Sequence, residues 1–385
     1  MIRVAAAACV VLASAPALAG GLRLRGDALA TTHAPAGLLV LEGSDRTRPW
    51  LDAEALVWMG AGGEADADAL VIVVELRDPA RRGSLRLGRQ VVATGALRPI
   101  HLDGAAARVR LPARVELEAF GGVPVVPGLG PRGYDWAIGG RGSRRLGDAR
   151  VGVAWMQRRD RGALATHEVG ADGRWSPERS IDVAASAAWD VADPGLASLD
   201  ASAAWWRRRR LRVELFASQR SPSHLLPATS LFSVLGDVPA RRLGTSGRWR
   251  AAPRLDLRAT AAARVAGGEL FAEVAADAHL RLDERGTRSA SLELLRRGAP
   301  DGGWTGARAT ATAALGETWS TAAEVELVVP DRMDRGAIWP WALGAVTYRP
   351  APGWELAAAI EASASPEVVW RVDGLARLSR AWEAP

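Results

Sequence analysis

The sequence predicts an all-β fold, a transmembrane antiparallel up-and-down β-barrel. Three observations carry that prediction. Apolar and polar residues alternate with a period of two through most of the chain. The alternating runs are mostly nine to fourteen residues long, whereas soluble strands cluster near five or six and a tilted membrane strand needs roughly 9–11. Nine tryptophans (Trp50, Trp136, Trp175, Trp249, Trp304, Trp319, Trp339, Trp354 and Trp382) stand at or near the ends of those runs.

The alternation is clearest in ELFAEVAADAHLRL, Glu269 to Leu282. Successive side chains of a strand point to opposite faces. Leu270, Ala272, Val274, Ala276, Ala278, Leu280 and Leu282 therefore share one face, and Glu269, Phe271, Glu273, Ala275, Asp277, His279 and Arg281 the other. The same reading applies from the start of the chain. Leu70, Ile72, Val74 and Leu76 oppose Glu75 and Arg77; Val115, Leu117 and Ala119 oppose Arg114, Glu116 and Glu118. Further on, Leu211, Val213, Leu215 and Ala217 oppose Arg212, Glu214 and Ser218, and the Leu255 to Val265 row opposes Asp256, Arg258 and Arg264. TAAEVELV and WELAAAIEAS repeat the pattern, with Glu324, Glu326, Glu355 and Glu361 on the polar face. No helical period competes over these spans.

Composition distinguishes a lipid-facing sheet from a soluble sandwich, which gives the same alternation. The chain has 385 residues but four Phe and two Tyr, and its apolar residues are mostly Ala, Val and Leu. Such side chains are thin filling for a core of this length, but they suffice on a surface that lies against hydrocarbon. An indole, large and apolar with one N–H donor, suits the headgroup level, so tryptophans at strand ends read as an interfacial girdle. Since lipid offers no hydrogen-bond partners, the sheet is expected to close.

The breaks between runs carry turn chemistry: DPARRG, APR at 252–254, AGG at 266–268, DERG at 283–286 and APG at 351–353. Longer breaks at 220–239, 298–303 and 330–336 alternate with the short ones, the rhythm of tight periplasmic turns and larger outer loops. Up to twenty candidate strands can be drawn; closure requires an even number, and the expectation is eighteen, within sixteen to twenty.

At the N-terminus, Arg3 precedes an apolar run from Val4 to Ala15, then Pro16 and the A-x-A site Ala17–Leu18–Ala19. This is the pattern of a secretory signal peptide cleaved after Ala19. The division expected is a signal over 1–19 and an outer-membrane barrel over 20–385, without a separate plug domain. The sole cysteine, Cys9, lies in the signal, so no thiol, disulfide or cysteine-based metal site is expected in the mature chain. After residue 19 no apolar stretch is long enough for a spanning helix.

All 49 basic residues are Arg, against 43 acids, for a formal charge of +6. They are spread through the chain and interleaved with the acids, the main run being Arg207 to Arg210, which argues against nucleic-acid binding. That run follows Trp205 and Trp206 and reads as a solvated turn beside the girdle rather than an anion-binding rim. No catalytic constellation emerges. The five His residues, His279 on its strand's polar face among them, show no ligand spacing, and G-x-S-x-G is absent. GGRGSRRLG at 139–147 lacks a Walker lysine and reads as lying between strands. No cofactor and no metal is expected.

SLRLGRQVVATGALRPIHLDGA, Ser84 to Ala105, with the later EAFGG at Glu118 to Gly122, resembles outer-membrane porins of the alginate-export and related carbohydrate or anion type. The resemblance covers about forty residues. It implies a lumen-facing strand and an inward segment narrowing a pore, involving Arg86, Gln90, Arg98 and Asp103 by position. Strict alternation, however, puts Arg89 on the face of Leu85 and Leu87, so a bulge at Gly88 or a place beyond the lipid edge is expected. The chain also ends RAWEAP rather than on an aromatic residue.

The functional expectation is a non-enzymatic, passive channel in a Gram-negative outer membrane, for small polar or anionic solutes. Its pore lining would be Arg86, Gln90, Arg98, Asp103, Glu116, Glu118, Arg212, Glu214, Asp256, Arg258, Glu273, Asp277, Arg281, Glu324 and Glu326. The partners expected are outer-membrane lipids and lipopolysaccharide, the barrel-assembly machinery and the solutes, with homo-oligomerisation left open. The alternatives are a non-conducting barrel acting as anchor or adhesin, and a soluble secreted all-β domain.

Overall fold

A computed structural model describes residues 22–32, 37–61, 65–80, 82–125, 134–208, 210–220, 240–298, 302–331, 338–364 and 370–383. The alternating runs become strands β1 (Leu22–Thr31), β2 (Gly37–Arg48), β3 (Leu51–Ala61), β4 (Ala65–Arg77), β5 (Gly83–Val92) and β6 (Ile100–Leu111). They continue as β7 (Val115–Pro124), β8 (Tyr134–Leu146), β9 (Ala149–Asp160), β10 (Ala163–Glu178), β11 (Ile181–Asp190) and β12 (Gly195–Arg207). Next come β13 (Leu211–Arg220), β14 (Ala240–Ala252), β15 (Leu255–Ala266), β16 (Glu269–Arg281) and β17 (Arg288–Arg297). The last are β18 (Trp304–Ala314), β19 (Trp319–Pro330), β20 (Trp339–Tyr348), β21 (Trp354–Ser363) and β22 (Arg371–Glu383).

Each strand pairs antiparallel with its neighbour in sequence, and β1 pairs with β22 from Arg23↔Glu383 to Thr31↔Leu375. The sheet is a closed barrel of 22 strands, not the eighteen expected. The short count has a physical reason. Strands β8 to β10 are joined by turns of two residues, Gly147–Asp148 and Arg161–Gly162, and their inward positions include Gly139, Gly152 and Gly170. Polar alternation and turn punctuation are both weak there. GGRGSRRLG is likewise no inter-strand loop but part of β8.

Two observations fix which face is outside. The aliphatic rows are solvent-accessible, with Leu270 at 71% and Val153 at 65% exposure. The buried apolar cluster of Leu97, Ile100, Leu102, Phe120, Ala137, Ala154, Met156 and Ala188 lies on the opposite face, where a curved sheet encloses it. The tryptophans follow suit. Both chain ends of the barrel lie at one rim. Trp175, Trp205, Trp249, Trp319, Trp354 and Trp382 cluster toward that rim on the outer face by register, and the exposed Trp50 stands in the β2–β3 turn at the same rim. Arg380 stacks on two of them, 4.6 Å from the Trp354 ring and 5.6 Å from that of Trp382. Trp304 and Trp339 depart from this pattern: their registers, opposite Arg297 and Val328, put them on the inner face.

Candidate constriction in the lumen

The connection between β5 and β6, Ala93 to Pro99, turns into the barrel instead of standing above it. Thr94, Leu97 and, at the start of β6, Leu102 are almost wholly buried. The segment is held by a turn from the Leu97 N–H to the Thr94 carbonyl (3.1 Å). It leans on β10 at Gly170, where an added Cβ would come within 3.1 Å of both Ala96 and Leu97. A Cβ there would push Ala96 and Leu97 back by a few tenths of an ångström, so glycine suits the close approach.

Two ion pairs anchor this contact. Arg98, on the segment, meets Glu168 of β10 at 2.5 Å; their side chains are 8% and 1% exposed. Burial pushes the Arg98 guanidinium below its ordinary pKa, opposed by Glu168; a guanidinium nonetheless stays charged in proteins. Beside it, Arg141 of β8 grips Asp172 of β10 through two bonds of 2.9 and 2.5 Å, with Glu118 of β7 at 3.8 Å. Gln90, fully buried, donates its amide to the carbonyls of Arg86 (3.3 Å) and Gly104 (3.4 Å). Thr166 Oγ1 and Gln90 Oε1 are buried without a protein partner among the described residues, so the crevice between segment and wall is polar.

Elsewhere the inner wall carries charge pairs that stay in contact with solvent. Arg110 and Arg150 flank Glu116 at 3.3 and 2.8 Å, and Arg108 lies 3.3 Å from Glu118. Arg212 pairs with Glu214 at 2.6 Å. Arg248 and Arg250 flank Asp256 at 3.6 and 3.3 Å. Arg242 pairs with Glu273, and Arg308 bridges Glu324 (3.1 Å) and Glu326 (2.8 Å). Exposed pairs of this kind contribute about 0–1 kcal/mol each, so they shape the field more than the stability.

Register puts Arg86, Gln90, Glu116, Glu118, Arg212, Glu214, Asp256, Arg258, Glu273, Asp277, Arg281, Glu324 and Glu326 on the inner face. Arg98 lies on the inward segment. Asp103 does not join them. It sits opposite Arg89 and Val123 on the outer face, and Arg89 donates to it twice, at 2.8 and 2.9 Å. Gly88 does not switch faces; the ladder runs through it in unbroken register. Arg89 is instead neutralised where it stands. The sequence reading missed Glu168, Arg141 and Asp172. Their signal was present only as charges in the Gly-rich strands β8 and β10, where burial cannot be read. Among the described residues no His, Cys, Asp or Glu group is arranged to hold a metal.

No protein family model matches the sequence, and no curated protein does. Solved structures do resemble it. The copper transporter OprC superposes with TM-score 0.61 at 11% identity, over 94% of this chain and 80% of that one. The ferric enterobactin receptor PfeA gives 0.59 at 10% identity, over 96% and 82%. The translocation pore of the P pilus usher PapC gives 0.53 at 10% identity, over 94% and 98%. At such identities the likeness is one of fold. That fold is the closed antiparallel β-barrel of bacterial outer-membrane proteins.

Proposed function

We propose that this barrel is an outer-membrane channel through which small polar or anionic solutes diffuse passively, between the inward segment and an Arg- and Glu-lined wall, without catalysing a reaction. The observation that carries the reading is the segment Ala93 to Pro99, clamped inside the lumen by Arg98 and Glu168. A 22-stranded barrel with strands ~4.8 Å apart and tilted about 40° is on the order of 40 Å across at the backbone. One seven-residue segment held against β8 to β12 narrows such a lumen without filling it. Paired inward charges keep the remaining passage wetted and lower the barrier for a hydrated solute. The alginate-export kind of porin fits the place of the segment after LRLGRQ, with Arg86 on the inner wall and Gln90 and Arg98 buried where the segment docks.

Purified protein in a planar bilayer should give discrete openings. Replacing residues 94–98 by a short Gly-Ser linker should raise the unit conductance. A protein that inserts, shows folded mobility and never conducts would overturn the channel reading in favour of a structural barrel.

A further inference from the structure

Two turns stand side by side at the rim that holds both chain ends: residues 179–180 between β10 and β11, and residues 208–210 between β12 and β13. They are neighbours because β11 pairs with β12, and the Trp206 N–H carries that ladder one step further, to the Ser180 carbonyl (2.8 Å). Between them lies a cleft of about 330 Å³ lined by Arg179, Ser180, Trp206 and Arg208. Trp206 belongs to the inner face, opposite Arg212, whose guanidinium carbon lies 5.2 Å from the centre of its ring. The sequence alone reads Arg207 to Arg210 as a solvated turn, because Arg179 and Ser180 reach it only across a strand pairing.

The acids nearby are already engaged. Glu178 accepts the Ser180 hydroxyl (3.2 Å), Asp182 holds Arg174 (2.8 Å) and the Ser176 hydroxyl (2.6 Å), and Glu214 holds Arg212 (2.6 Å). Arg179 and Arg208 are both exposed, and among the described residues neither has an acid within salt-bridge distance. The second turn also carries a backbone cost. Arg208 has φ +48°, in the left-handed region that glycine or asparagine enters more easily, and the Arg210 N–H closes the turn on the Arg207 carbonyl (3.0 Å). An arginine thus stands where the backbone suits a smaller residue, in one cleft with a second arginine and an indole. Two forked guanidiniums match the several oxygens of a doubly charged phosphate better than the two of a single carboxylate. The cleft has room beside a phosphate group for an organic remainder against the Trp206 ring.

We propose that this cleft binds a phosphate monoester, with Arg179 and Arg208 on the phosphate oxygens and the organic remainder against Trp206. As a site for a passing solute the inference rests on the channel reading; as a site for a lipid headgroup it does not. Its test is calorimetric titration of the full-length protein in a neutral detergent with glucose 6-phosphate, inorganic phosphate, glucose and dihexanoyl phosphatidic acid in turn. Glucose 6-phosphate should bind and glucose should not. Arg179→Gln and Arg208→Gln should each weaken that binding at least tenfold. Arg285→Gln, which removes an exposed arginine from the β16–β17 turn at the same rim, should leave it unchanged. Trp206→Ala should lower the affinity for glucose 6-phosphate to that for inorganic phosphate. Binding of phosphatidic acid alone, lost in the same two arginine variants, would keep the monoester site and place its source in the membrane. Equal weakening by all three arginine variants would leave only the field of a basic rim and overturn the site, as would the absence of binding by both esters. Conductance of the same preparations separates the two readings: openings without binding keep the channel and remove the site, and binding without openings does the reverse.

Discussion

Arg98 and Glu168 show what a charge requires once the wall folds over it. Each is nearly excluded from solvent, and each has the other at 2.5 Å. Removing one partner from a buried pair typically costs 3–5 kcal/mol, because the survivor is left uncompensated. The barrel's ladders do not depend on that contact, so the penalty falls on the segment's docking. A cysteine at Leu97, buried in the parent, is expected to react with an impermeant thiol reagent at least a hundredfold faster when Arg98→Ala is added, since each ~1.4 kcal/mol is a factor of ten. Unchanged reactivity would mean that Gly170 and the apolar contacts hold the segment alone. Asp103 makes the complementary point. The porin resemblance placed it at the lumen, yet it faces outward with Arg89 opposite it, and the two are legible only as a pair across a register that the sequence does not display.

A strand such as β16 was legible almost residue by residue, because its two faces meet hydrocarbon and water and its side chains sort accordingly. Leu270 and Val274 are open on the outer face, whereas Glu273 and Asp277 are half-buried on the inner. Arg on the lipid face near mid-bilayer is expected to cost about 2–4 kcal/mol, so Val274→Arg should lower the denaturant midpoint markedly. The inward change Ala275→Arg should leave it almost unmoved; equal losses from both would contradict the sidedness. Legibility failed where a strand's inner face meets protein instead of water. In β8 to β10 the inward positions hold Gly139, Gly152 and Gly170, together with charges that end up buried. A glycine shaped by a segment from elsewhere in the chain carries no periodic signal. The inward segment itself could be suspected from its resemblance, but its docking partners on β10 could not.

At the scale of the molecule, closure and charge decide behaviour together. Closure depends on β1 meeting β22. Deleting Arg371 to Glu383 would expose two edges to lipid and should abolish the compact form that migrates ahead of heated protein on a denaturing gel. Within the closed wall, most inward arginines described above carry an acid within salt-bridge distance, so the fixed charge that a passing ion senses is a small excess. How far it reaches depends on screening: the Debye length is about 30 Å at 0.01 M salt and about 3 Å at 1 M. A lumen on the order of 40 Å across at the backbone is therefore spanned by the field at the lower concentration and screened from it at the higher. Reversal potentials across a KCl gradient should show a mild chloride preference in dilute salt that fades toward none near 1 M. Arg258→Ala, which removes an exposed inward cation while leaving the anchored segment intact, should diminish that preference without changing the conductance in concentrated salt. A strong preference persisting at 1 M would place the selecting charges in a passage only a few ångströms wide, and would mean that the inward segment closes far more of the lumen than its seven residues suggest.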